Sequence, residues 1–174
     1  MTTRTWIASA AGVAVVSLAS CAVKQPQTAE EFRKVAPGAM FMKTETYEVN
    51  RALRDVASTF ERRAPGCLKV TVRTVSQTTG SYQNIVTEYT PTVVVGGARA
   101  ELHVQQLHKT GVLYPSKPPE GGVYIFVADA YPEGAKRTRI QIYGPSRGYD
   151  VLHRAVRGWA TGDNLGCPDM TKIG

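Results

Sequence analysis

Between Leu68 and Tyr143 apolar side chains return at every second position in one stretch after another, and a chain with that period must lay much of itself into strands covered on one face. In CLKVTVRTV, Leu68, Val70 and Val72 alternate with Lys69, Thr71 and Arg73. In ARAELHVQQLH, Ala100, Leu102 and Val104 alternate with Glu101, His103 and Gln105, and the pattern slips at Gln105-Gln106, where a bulge would bring Leu107 back to the core side. YQNIVTEYTPTVVV and KRTRIQIYG read as further strands, and Pro91 in the former implies a bulge, an edge position or a break. VYIFVADAY is apolar on both faces and belongs at the centre of the sheet, its second face covered by another element.

Gly96-Gly97 marks a tight hairpin, and Pro132 to Ala135 a second turn. MFMKTETYEV, ahead of all these, reads as one more strand.

Two segments carry the helical period instead. Within Arg51 to Ala64, residues Leu53, Val56, Ala57, Phe60 and Ala64 share a face; Asn50 is placed to cap the start, and Pro65-Gly66 to end the helix. Within Tyr149 to Ala160, Leu152, Ala155, Val156 and Trp159 form the stripe, with Ser146 near its start. The order β-α-β-β-β-β-β-α describes an α+β fold: an antiparallel sheet of about six strands with two helices packed on one face.

The N-terminus follows a different plan. Arg4 precedes an uncharged apolar run from Trp6 to Leu18 that is too short to cross a bilayer and ends in small residues, the pattern of a signal peptide over residues 1–20. Leu18-Ala19-Ser20-Cys21 resembles the lipobox of bacterial lipoproteins, which implies that Cys21 is thioacylated and becomes the mature N-terminus. Ala22 in place of Asp after the cysteine implies, by the same resemblance, the outer membrane with the protein facing the periplasm. Residues 21–38 then read as the lipidated N-terminus and a tether, with at most a helical turn at Glu30 to Lys34, and 39–174 as one domain. The element order after Phe41 also resembles, loosely, the helix-grip arrangement and related domains of periplasmic assembly lipoproteins; no residue motif accompanies it and no functional residue is carried over.

With Cys21 given to lipid, Cys67 and Cys167 remain, and an even pair in an oxidising compartment points to a disulfide, with free or metal-binding thiols as the alternative. The bridge would pin the tail GDNLGCPDM to the end of the first long helix.

Loss of the leader leaves about 150 residues, enough for one domain with a real core, and a charge balance that stays positive. Lys136, Arg137, Arg139, Arg147, Arg154 and Arg157 fall close together, a candidate surface for lipid phosphates, lipopolysaccharide, another anionic envelope polymer or an acidic envelope protein, or an ordinary solvated face. Nucleic acid is not an expected partner, since no recognition motif accompanies the charge.

Catalytic patterns are sparse: S-x-x-K and a phosphate loop do not occur, Gly144-Pro145-Ser146-Arg147-Gly148 carries the letters of G-x-S-x-G but its Ser146 is explained more simply as a helix-start residue than as a nucleophile, and no carboxylate pair is singled out by spacing. His103 and His108, roughly 16 Å apart along a strand, cannot share a metal, and His153 neighbours Arg154 and Arg157. No catalytic residue, metal site or cofactor is expected. The leading expectation is a lipid-anchored, non-enzymatic periplasmic binding or assembly module, attached to the membrane by its N-terminal lipid, with Tyr114, Lys117, Lys136, Arg137 and Arg139 as candidate contacts. The long, proline-stiffened loop KTGVLYPSKPPEGG supplies the first two. A carrier or sensor of a hydrophobic ligand is the alternative, with Tyr124 and Phe126 lining a cavity on the second face of the central strand. A small hydrolase is a third reading.

Overall fold

Apolar alternation and two amphipathic helices resolve into a six-stranded antiparallel sheet in the computed structural model, which describes residues 25–78, 81–110, 112–114 and 116–173. The leader and Cys21 lie outside the described residues. The strands are β1 (Met42–Val49), β2 (Val70–Thr78), β3 (Ser81–Val95), β4 (Ala100–Thr110), β5 (Val123–Pro132) and β6 (Thr138–Pro145), in the order β1-β6-β5-β4-β3-β2. Hairpins join β2 through β6 in sequence. The long helix α2 (Leu53–Leu68) carries the chain across from β1 at one edge to β2 at the other.

Helices α2 and α3 (Asp150–Thr161) cover one face. Val56, Phe60, Ala64, Leu152, Val156 and Trp159 are buried against Leu102, Val104, Phe126, Ala128, Ile140 and Ile142, so the expected helical stripes and strand alternation meet in one core. Each large side chain so buried contributes roughly 1.5–3 kcal/mol over its exposed state.

The second face is covered by a helix in the segment read as tether. Helix α1 (Ala29–Val35) and the turn Ala36–Gly38 pack Ala29, Phe32 and Ala36 onto Val127 and Tyr143, with Met42 and Tyr124 alongside. The domain therefore begins before residue 39. Thr28 caps α1 by accepting from the Glu31 amide at 3.1 Å, while the Gln27 amide donates to the Glu31 carboxylate at 2.7 Å, a variant of the reciprocal capping box. The central strand β5 thus has its second face covered, by the element of lowest apolar periodicity.

Several local expectations are corrected. Pro65 does not end α2: the helix runs on to Leu68 because Cys67 and Leu68 are both buried, and a proline this near the end disrupts only the last turn. Ala52 stands at the helix start with no side-chain cap, and Arg51, rather than Asn50, organises the junction by donating to the Trp159 and Ala160 carbonyls at the end of α3 (2.9 and 3.1 Å). Ser146 does not cap α3; its amide and hydroxyl both donate to the Phe41 carbonyl, at 2.7 and 3.0 Å.

Pro91 sits in β3 beyond Tyr89, the last residue paired with β2, so the edge position among the three alternatives is the one adopted. The register slip near Gln105 falls on the other strand. Val104 pairs with Phe126 and Gln105 with Tyr124, leaving Ile125 as the extra residue, so β4 keeps its alternation and Leu107 joins neither core cluster.

Candidate functional site

The bulge at Ile125 decides what lies on the second face. Two residues apart on an unbroken strand, Tyr124 and Phe126 would share a face. With Ile125 inserted between them they do not: Phe126 is fully buried in the helix-covered core, edge-on to His153 at 5.1 Å, while Tyr124 lies under α1, 6.5 Å from the Phe32 ring. Of the expected cavity pair, Tyr124 alone lines a recess on the second face. That recess is an open apolar cleft of about 280 Å3 between α1, the turn after it and the starts of β1 and β5, lined by Pro26, Phe32, Ala36, Met42, Val123 and Tyr124 among others.

Beside the cleft, the polar residues of β4 and β5 meet the underside of α1. Arg33 donates in bidentate fashion to Asp129, Nε to Oδ2 at 2.6 Å and Nη2 to Oδ1 at 2.7 Å, and its Nη2 also contacts Glu101. Glu101 accepts further from His103 Nδ1 at 2.8 Å and from Arg99 at 3.3 Å. His103 in turn meets the Tyr124 ring at 5.2 Å, edge to face. Asp129 has no exposed surface, and Arg33, Glu101 and His103 are each more than 90% buried.

Burial alone would raise the Glu101 carboxyl. The hydrogen bonds from His103 and Arg33 outweigh it and hold the group down at about 2. Burial likewise opposes the Arg33 charge, but the two carboxylates raise its affinity for the proton. Every charge in the network is matched by an opposite one and hydrogen-bonded, so its chemistry is that of a latch fastening α1 to the sheet. Among the described residues no three His, Cys, Asp or Glu side chains converge as ligands for a metal ion.

Sequence reading missed Arg33 and Asp129. Each left a signal: Thr28 followed by Glu31 is a helix start, and Asp129 is the lone acid in an otherwise apolar central strand, which demands a buried cation.

The candidate contact residues do not form one patch. Tyr114 and Lys117 lie in the connection before β5, and Lys136, Arg137 and Arg139 in the hairpin after it, so ten residues of strand, about 33 Å, stand between them. Tyr114 is committed to the fold: its hydroxyl accepts from the His108 amide at 2.6 Å and its ring stacks on the His108 ring at 6.0 Å. The loop itself is tied down by Gln105, whose side-chain amide donates to the Glu120 and Gly122 carbonyls at 2.7 and 2.8 Å. Gly122 is required there, with φ +103° and a backbone approach that would put a Cβ 2.3 Å from the Gln106 carbonyl oxygen. Arg137 pairs with Glu48 at 3.4 Å, and Arg139 with Glu133 at 2.7 Å while lying over the Tyr131 ring. Arg157 pairs with Glu45 at 2.8 Å. Much of the basic cluster is therefore neutralised locally, and Lys136 is left as the hairpin's unmatched cation among the described residues.

Cys67 and Cys167 form a disulfide with 4.9 Å between their Cα atoms, joining the last turn of α2 to the C-terminal tail. Comparison with protein-family models, with curated proteins and with solved structures finds no match.

Proposed function

We propose that the chain is a lipid-anchored, non-enzymatic binding module of the bacterial cell envelope, thioacylated at Cys21, facing the periplasm from the outer membrane and docking onto another envelope component. The observation that carries this reading is the apolar cleft at the end of the domain where the lipobox cysteine is attached: Gln25, four residues after Cys21, already lines it. The disulfide between Cys67 and Cys167 supports an oxidising compartment. The polar residues nearest the cleft are engaged in the α1 latch, which supports binding over group transfer.

Intact mass of the chain extracted in detergent from its native membrane tests the address. A mature chain starting at Cys21, carrying acyl groups and gaining two hydrogens on reduction, is expected; an unacylated chain removes the anchored reading. Docking is tested by crosslinking in place, where Lys136→Glu is expected to reduce capture of an acidic-surface partner, and unchanged capture removes that hairpin as a contact.

A second reading, a carrier or sensor of a hydrophobic ligand, is favoured by the lining of the cleft, where Phe32, Met42, Val123 and Tyr124 present apolar surface to a ligand. Native mass spectrometry of the released protein separates the two, because a carrier retains a non-covalent lipid.

A further inference from the structure

We infer that the end of the sheet at which the cleft opens is a membrane-contacting face, seated in the interfacial layer of a bilayer. The antiparallel order gathers the starts of β1, β3 and β5 and the ends of β2, β4 and β6 at this end, and Ser116 of the β4–β5 loop approaches Gln25 there at 3.5 Å. The five most exposed large apolar side chains among the described residues are Leu113 (97%), Met40 (80%), Tyr82 (74%), Val75 (67%) and Phe41 (63%). All five sit at this end. Met40 and Phe41 precede β1, Leu113 follows β4, and Val75 and Tyr82 belong to the part of the β2–β3 hairpin that projects past the Thr110–Val86 pair where β4 stops.

The segment Val35 to Met42, VAPGAMFM, contains no polar side chain and is bounded by Lys34 and Lys43. Phe41 is held in the left-handed region at φ +62°, a strained conformation for such a residue, and the double hydrogen bond from Ser146 to its carbonyl fixes it there. The ring is thus presented to the outside by a frame that the fold sustains. Arg147, next to that clamp, and Lys117 in the β4–β5 loop carry no ion partner among the described residues, so cations flank the apolar tips. Apolar and aromatic tips flanked by Lys and Arg match the chemistry of the headgroup–acyl boundary and its phosphates.

The proposed anchor adds reach and rests on the reading above: four residues span at most about 14 Å, so a lipidated Cys21 keeps this end against the membrane. The five exposed side chains and their basic flank do not depend on it.

Tryptophan placed at Met40 (M40W) and separately at Leu113 (L113W) reports contact, with Val95→Trp at the opposite end of the sheet as reference and the buried Trp159 as constant background. The full chain is produced in cells, purified from membranes and mixed with phosphatidylethanolamine–phosphatidylglycerol vesicles carrying brominated acyl chains. M40W and L113W are expected to shift to the blue and to be quenched at least twofold more than V95W. Equal quenching at all three positions in a chain whose mass shows acyl groups overturns the face and leaves the anchor standing. A mass without acyl groups ends the anchor reading, and the same comparison on that unacylated chain then decides for or against the face alone.

Discussion

Asp129 has no contact with solvent and takes its compensating charge from a residue 96 positions away, so the pair can be judged only in the folded chain. Removing one partner of a buried pair typically costs about 3–5 kcal/mol because the other charge is stranded. Arg33→Met is expected to cost about 3 kcal/mol, the low end of that range, since α1 can lift and admit water to Asp129. Arg33→Met combined with Asp129→Leu should recover most of the loss in denaturant titration; no recovery would mean that the pair is not the source of the cost.

His153 on the other face makes the opposite kind of demand. Its Nε2 donates to the Pro145 carbonyl at 3.1 Å, its Nδ1 lacks a hydrogen-bond partner among the described residues, and Phe126 covers the ring. Burial lowers its proton affinity and Lys43 adds to this, while Glu45 at 3.8 Å and Asp150 oppose it without prevailing. A histidine whose folded pKa is depressed binds fewer protons folded than unfolded. Its contribution is complete above the ordinary value near 6.5 and is lost as pH falls below it toward the folded pKa, with a slope of at most about 1.4 kcal/mol per pH unit. Stability should therefore fall between pH 6.5 and 5, and His153→Gln should flatten that slope; His108, also lowered by burial, supplies the residual slope.

At the scale of elements, what the sequence makes legible is what periodicity encodes. The strand alternation and the two helical stripes reappear as β1 to β6, α2 and α3, in the expected order, because each buries a whole face and any other register would expose it. Helix α1 escapes that logic. It is seven residues long and touches the sheet through Ala29, Phe32 and Arg33, with Ala36 just beyond it, too few positions for an apolar period to stand out. The bulge at Ile125 escapes as well, since an extra residue on β5 is specified by its pairing with β4 and not by β5's own pattern. The candidate site sits where those two features meet, and for that reason half of the expected cavity pair was misplaced.

The same smallness makes α1 separable. Its apolar cluster, Ala29, Phe32, Ala36, Val127 and Tyr143, is distinct from the main core. Phe32→Ala should cost about 3 kcal/mol by the usual range for buried phenylalanine, but the loss belongs to local opening of α1. Hydrogen exchange is expected to show α1 amides losing protection while β4 to β6 keep theirs. Loss of protection throughout would show instead that α1 is part of the cooperative core.

For the molecule as a whole, the two ends of the sheet differ in chemistry and the disulfide ties together the layer that spans them. Apolar tips and the cleft mark one end; the β5–β6 hairpin with Lys136 and the paired Arg137 and Arg139 marks the other. A domain lying against a membrane by the first would present the hairpin about 30 Å away from the bilayer surface. The disulfide encloses 100 residues of sequence, from the last turn of α2 through five strands and α3 to the tail. In the chain-entropy picture a closure of this length contributes up to roughly 4–5 kcal/mol, most of it by restricting the unfolded chain. Reduction, or Cys67→Ser with Cys167→Ser, is therefore expected to lower the midpoint of unfolding for the sheet and both long helices together, as read by circular dichroism. The α1 latch, which lies before the closed segment in sequence, should keep its exchange protection relative to the sheet. A reduced protein that frays only at the tail, with the sheet's midpoint unchanged, would show that the bridge serves the C-terminus alone and that the core holds the two ends of the fold without it.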